Sequence, residues 1–125
     1  MARILVIDDD DVCTKLTKLK LTTAGYEVTC HRGPFGSLNA IRRGEYDVIL
    51  LDIMMPALDG RGVMQLIRST PGLERTKILF YSSLDLDVLD QLTKEHGAHG
   101  YLSKSCTCEE LAAMISKTLR NSLRP

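Results

Sequence analysis

The 125-residue sequence has no excess charge of either sign: sixteen Lys and Arg are balanced by sixteen Asp and Glu. That balance removes the usual electrostatic argument for nucleic acid or an anionic membrane as the main partner. No apolar stretch approaches the roughly 20 residues of a membrane span, and the basic start and apolar stretch of a signal peptide are missing. The cytoplasm is therefore the expected setting. Repeats and low-complexity tracts are absent. Cysteine is sparse, at Cys13, Cys30, Cys106 and Cys108. A chain near the commonest domain size can bury a core without staples, so these thiols are expected to be reduced. One residue separates Cys106 from Cys108 and no matching Cys or His pair follows, which is not a zinc spacing.

Alternating apolar runs and helical patterns fill the chain. Runs at Arg3 to Ile7, Tyr26 to Cys30, Val48 to Leu51, Lys77 to Tyr81 and Tyr101 to Leu102 read as strands. Segments at Val12 to Ala24, Phe35 to Arg43, Gly60 to Ser69, Asp85 to His96 and Glu109 to Asn121 read as helices. Strands separated by helices run parallel, because a return to the same end of the sheet needs a crossover, and near-continuous apolar strands fit burial on both faces. The expectation is an α/β fold with helices on both sides. Three stripes are expected to face the sheet: Val12, Leu16 and Leu19; Val63, Leu66 and Ile67; and Leu111, Met114, Ile115 and Leu119. Gly25, Gly44 and Gly97 punctuate helix ends, and Thr107 with Glu110 offers a capping box.

Acid is concentrated where two of the strands end. Ile4-Leu-Val-Ile7 empties into Asp8 to Asp11, and Val48-Ile-Leu-Leu51 into Asp52. Ligands of open parallel sheets bind outside the carboxyl ends of the strands, where the winding reverses. If the first and third strands are neighbours, Asp8, Asp9 and Asp52 converge there and repel one another unless a cation joins them. Mg²⁺ suits such a site, being commonly held by one or two carboxylates, phosphate oxygens and waters. The fourth strand ends in Ser82-Ser83 and the fifth is followed by Lys104. A carboxylate can act as a nucleophile toward phosphorus, and a lysine with a metal can neutralise the transferring phosphoryl oxygens.

With these residues in order, the chain resembles the receiver domain of the two-component response-regulator family over nearly its full length. The resemblance implies a single doubly wound (βα)₅ domain, flavodoxin-like, with sheet order 2-1-3-4-5. It implies a receiver domain over residues 1–122, with residues 123–125 as tail or linker stub. It also implies roles: Asp8 and Asp9 as the acidic metal-binding pair, Asp52 in Leu-Leu-Asp-Ile-Met-Met-Pro as phosphoacceptor and further metal ligand, and the main-chain carbonyl of Met54 as another ligand. Ser82 matches the switch hydroxyl, Tyr101 the switch aromatic, and Lys104 the phosphate-contacting lysine. The implied partners are a histidine kinase or phosphotransfer protein and an output protein or domain, with no direct nucleic-acid or membrane contact by this domain. Catalysis is limited to its own phosphorylation and dephosphorylation.

The sequence departs from the family pattern in three respects, at four positions. Ser105 follows Lys104 where proline is usual, so the bond is either cis at about 3 to 4 kcal/mol or trans with Lys104 arriving from another direction. Ser82 stands for the commoner threonine and loses its β-branch. Met54 and Leu84 are apolar where many members carry polar groups, and neither can orient an attacking water. Plainer readings stand beside these roles. Asp10 and Asp11 suit a helix start, Ser82-Ser83 suits a turn, and Tyr101 could pack on the sheet. Lys15, Lys18 and Lys20 suit a solvated face or a kinase-docking surface. His31, His96 and His99 fall outside the expected site. The rival functions are a degenerate receiver that docks partners without phosphorylation, and a hydrolase passing through an aspartyl phosphate.

Overall fold

The computed structural model describes residues 2–33, 36–54, 60–73 and 76–121. Phe35, the Met55-Pro56 end of the Asp52 motif and the 123–125 tail lie outside them. The elements alternate as β1 (Arg3–Asp8), α1 (Asp11–Thr23), β2 (Glu27–Arg32), α2 (Ser37–Arg43), β3 (Val48–Leu51), α3 (Gly60–Ser69), β4 (Ile78–Ser82), α4 (Leu86–His96), β5 (Gly100–Ser103) and α5 (Cys108–Asn121). The strands form one sheet in the order β2-β1-β3-β4-β5, and each neighbouring pair is parallel. Ile7 lies beside Leu51 and Leu51 beside Phe80, so β1, β3 and β4 end level with one another.

The period of two along each strand divides the core between two faces. Leu5, Ile7, Ile49, Leu51, Ile78 and Phe80 meet Ile41, Val63, Met64, Ile67 and Leu89, from α2, α3 and α4. Ile4, Val6, Val48, Leu50, Leu79 and Tyr81 meet Leu21, Leu111 and Ile115, from α1 and α5. Residues 48 to 51 are fully buried, which is why this strand reads as a continuous apolar run rather than an alternation.

Helix α1 overturns one expectation. Val12, Leu16 and Leu19 are 68%, 53% and 65% exposed, and the face turned to the sheet carries Thr14, Thr17 and Leu21 instead. Each residue turns a helix by about 100°, so the stripes at 12, 16, 19 and at 14, 17, 21 point in different directions, and only one can face β1. Asp10 fixes the start: its Oδ1 accepts from the amides of Val12 and Cys13. The buried hydroxyls are satisfied, Thr14 Oγ1 by the Asp11 carbonyl at 3.0 Å and Thr17 Oγ1 by the Tyr81 hydroxyl at 3.4 Å. That removes the penalty for burying unpartnered polar groups.

A smaller correction concerns α3. Leu66 is exposed, and Met64 joins Val63 and Ile67 on the buried face. In α5, Leu111 and Ile115 are buried, with Met114 and Leu119 partly covered. Gly97 ends α4 at φ 74°, as a left-handed cap requires, but Gly44 is extended; a Cβ there would strike the Tyr46 ring, so space rather than φ demands glycine. The capping box is present: Thr107 Oγ1 accepts from the Glu110 amide at 3.1 Å, and Glu110 Oε1 accepts from the Thr107 amide at 3.0 Å. All four cysteines are free thiols.

The reversed α1 face makes a stability prediction. Leu21→Ala should cost about 2 to 5 kcal/mol, the usual price of truncating a core leucine. Leu16→Gln and Leu19→Gln should each stay within about 0.5 kcal/mol of wild type, as surface changes do. Urea unfolding of the three variants checks this, and a large loss from Leu16→Gln would mean that the outward stripe is covered.

Candidate functional site

The level ends of β1, β3 and β4 bring the acids together. Asp8 closes β1, and the Asp52 amide continues the β1–β3 ladder by donating to the Ile7 carbonyl at 3.0 Å. Their side chains are 1% and 3% exposed. Asp9 is half-buried, and one carboxylate oxygen from each of Asp8, Asp9 and Asp52 lies within 4.8 Å of the others. The loop after β5 supplies Lys104, whose amide donates to the Ser82 carbonyl at 2.9 Å. Its Nζ stands 2.8 Å from Asp8 Oδ2 and 3.2 Å from Asp52 Oδ2.

Backbone amides hold the other carboxylate oxygens. Asp8 Oδ1 accepts from the Asp10 amide at 3.0 Å, and Asp52 Oδ1 from the Met54 amide at 3.1 Å. Asp10 therefore has two jobs: its side chain caps α1 while its amide orients Asp8. Asp8 Oδ2 is buried and meets Lys104 as an ion pair without a well-angled hydrogen bond, which leaves a lone pair for another cation.

Charge at the site is unbalanced. Three carboxylates face one ammonium, an excess of two negative charges that a divalent ion would cancel. Burial pushes the Asp52 carboxyl above the ordinary aspartate value; the Lys104 charge lowers it, the Asp8 charge raises it further, and the Met54 amide pulls it back. For Lys104, burial opposes the charged form, but the contact with Asp8 and the charges of Asp52 and Asp8 outweigh burial and hold the ammonium above its usual range. The donor set consists of hard oxygen ligands on a rigid rim and fits Mg²⁺.

The remaining expected residues lie around this rim. Ser82 is fully buried at the end of β4, and its Oγ accepts from the Leu84 amide at 3.4 Å; among the described residues no hydrogen bond joins it to Asp52. Met54 is exposed and Leu84 leans on the core. Tyr101 is half-buried on β5, away from the acids. The described residues contain no cis peptide, so Lys104–Ser105 is trans and the lysine still reaches both carboxylates. Ser103 Oγ accepts from the Ser105 amide at 3.1 Å and shapes the turn that proline would otherwise shape. His99 bonds to Ile78 at the opposite end of the strands. Cys13, near the start of α1, is a partly buried thiol that burial pushes above its ordinary value.

A raised folded-state pKa on an acid means that ionisation opposes folding: this contribution is lost as pH rises from the unfolded aspartate value of about 3.9 through the folded one. Asp52→Asn should therefore stabilise the metal-free protein at neutral pH, by about 1 kcal/mol, as relief of functional-site strain commonly does. The gain should shrink toward acid pH. Urea unfolding in the presence of a chelator at neutral and acid pH checks this, and a destabilised variant would contradict it.

The profile of the response regulator receiver domain matches residues 4–116. The chain is 32% identical over 95% of its length to the uncharacterized transcriptional regulatory protein YkoG of Bacillus subtilis, and covers 51% of that protein. It is 36% identical over 94% of its length to the probable transcriptional regulator ycf27 of Cyanidium caldarium, covering 46% of it. The chain thus spans about half the length of these relatives. Response regulator TrrA of Thermotoga maritima, solved in complex with Mg²⁺ and BeF, superposes with a TM-score of 0.83 at 31% identity, over 95% of this chain and all of TrrA. No helix among the described residues is long and apolar enough to cross a membrane. With its family profile, sheet order and relatives in agreement, this chain belongs to the receiver domains of two-component response regulators.

Proposed function

We propose that this domain is a phosphoacceptor switch in a two-component phosphorelay, acting in the cytoplasm. Asp52 takes a phosphoryl group from the histidine of a kinase or phosphotransfer protein: its carboxylate oxygen forms the new P–O bond as the donor's N–P bond breaks, and the electron pair leaves on the imidazole nitrogen. Asp8, Asp9, Asp52 and the main-chain carbonyl of Met54 hold Mg²⁺. When bound, that ion neutralises charge on the phosphoryl oxygens. The observation that carries this reading is Lys104, 2.8 Å from Asp8 and 3.2 Å from Asp52 in a pocket that still has an excess of acid.

Asp8 keeps Lys104 beside the nucleophile, ready to follow the new phosphoryl oxygens. The added group brings a charge of about minus two and three acceptor oxygens. Those oxygens draw in the Ser82 hydroxyl, Tyr101 fills the space that Ser82 leaves, and the face made by α4, β5 and α5 is remodelled for an output partner. The phosphodonor docks on the outward face of α1. There Val12, Leu16 and Leu19 stand exposed beside Lys15 and Lys18, which make no ion pair among the described residues. Residues 1–122 form the receiver, with residues 123–125 as its tail or linker stub.

The domain turns over nothing except its own phosphoryl group. Met54 and Leu84 flank Asp52 and Ser82 with apolar side chains, so no general base orients water for a hydrolase. A docking module indifferent to phosphorylation would not need the acid trio or the half-buried Lys104.

Intact-mass spectrometry after incubation with acetyl phosphate and Mg²⁺ should find one added phosphoryl group on wild type and none on Asp52→Ala. Equal labelling of the two would move the acceptor elsewhere. Once loaded, the protein should retain its label for minutes or longer after the donor is removed. Loss within seconds would contradict the reading that neither Met54 nor Leu84 orients an attacking water.

A further inference from the structure

Lys104 stands at the corner of a hydrogen-bonded turn. The Cys106 amide donates to the Ser103 carbonyl at 3.0 Å, which closes a β-turn over residues 103 to 106 with Lys104 in its second position. Serine suits the first position of such a turn because its hydroxyl can hold the amide two places on. Ser103 does so: its Oγ accepts from the Ser105 amide at 3.1 Å, and the Ser103 and Ser105 hydroxyls share a hydrogen bond at 2.7 Å. The Lys104 amide itself donates to the Ser82 carbonyl at 2.9 Å and so continues the β4–β5 ladder. The backbone of Lys104 is thus tied to the end of β4 and clipped by the serines that precede and follow it. These ties involve none of the three acids.

We propose that Ser103 is a positioning residue for Lys104: its side-chain clip sets where the lysine stem leaves the backbone, and with it how well the ammonium meets an anion on Asp52. The proposal rests on the phosphoacceptor reading above. Lysine is a point charge on a flexible four-carbon stem, so its own geometry does not aim it. In the free domain, ion pairs at 2.8 Å to Asp8 and 3.2 Å to Asp52 hold the ammonium in place. An anion on Asp52 draws the ammonium off the Asp52 oxygen, and the reach of the stem is then limited by where its Cα stands. A proline after the lysine would fix the chain through its ring and would carry no amide hydrogen. Ser105 keeps that hydrogen, and the Ser103 hydroxyl takes it up. Ser103→Ala releases both the amide and the hydroxyl of Ser105, and the turn keeps only its backbone bond.

Beryllofluoride stands in for the phosphoryl group, and its titration at saturating Mg²⁺, followed by NMR of the backbone amides around the pocket, supplies the test beside calorimetric titration with Mg²⁺ alone. Ser103→Ala should raise the half-saturating beryllofluoride concentration by about two- to tenfold, the scale of one lost hydrogen bond. Its affinity for Mg²⁺ alone should not fall, because the three acids do not depend on the turn. General loosening of the fold would weaken both, so the split between anion and metal reports on the lysine. Ser103→Thr keeps a γ-hydroxyl and should return the half-saturation to near wild type. An unchanged half-saturation in Ser103→Ala, a parallel loss of Mg²⁺ affinity, or a Ser103→Thr protein as weak as Ser103→Ala would overturn the positioning role. If wild type binds no beryllofluoride at all, the phosphoacceptor reading fails and takes this role with it. Normal wild-type binding with no Ser103 effect overturns this role alone.

Discussion

Lys104 reaching across to two buried carboxylates is the interaction on which the rest of the structure depends. Asp8 and Asp52 are almost wholly excluded from water, and a buried charge without a partner is severely unfavourable. One ammonium between them makes the arrangement tolerable, but it does not complete it. Asp9 adds a third acid within reach, and Asp8 Oδ2 lacks a well-formed hydrogen bond. The site is therefore poised: stable enough to fold, short of positive charge, and rigid because backbone amides of Asp10 and Met54 hold the remaining oxygens.

The sheet makes this possible by delivering each group from a different strand to one rim. Parallel strands of nearly equal reach end together, so the chemistry comes from residues far apart in sequence, Asp8, Asp52 and Lys104. The rim also couples the site to distant surfaces. Ser82 lies at the end of the strand beside β5, which carries Tyr101, and Tyr101 packs against the core cluster that includes Leu89 of α4. On the other face, the adjacent Tyr81 bonds Thr17 of α1. A change at the acids is therefore mechanically close to both helical layers.

Much of this was legible in the sequence because the signals were local and strong. Continuous apolar runs ending in acid located β1, β3 and the cluster of Asp8, Asp9 and Asp52, and the Thr107-x-x-Glu110 pattern located the start of α5. What was not legible depended on phase or on tertiary neighbours. The Val12, Leu16, Leu19 stripe has the spacing of a core face, yet it points outward. Periodicity gives the angle between residues but not which face meets the sheet, and here the Asp10 cap and two satisfiable threonines favoured the other face. Gly44 was legible as the end of α2, but the reason for glycine there, the Tyr46 ring, was not.

An acid pocket two positive charges short calls for a divalent cation held jointly by Asp8, Asp9 and Asp52. Calorimetric titration with Mg²⁺ of wild type and Asp9→Ala tests this most directly, since Asp9 is the least buried of the trio and its replacement should spare the fold. The account predicts saturable binding of one ion by wild type, with binding strongly weakened in Asp9→Ala. Equal affinity in the two proteins, or no binding by either, would contradict it.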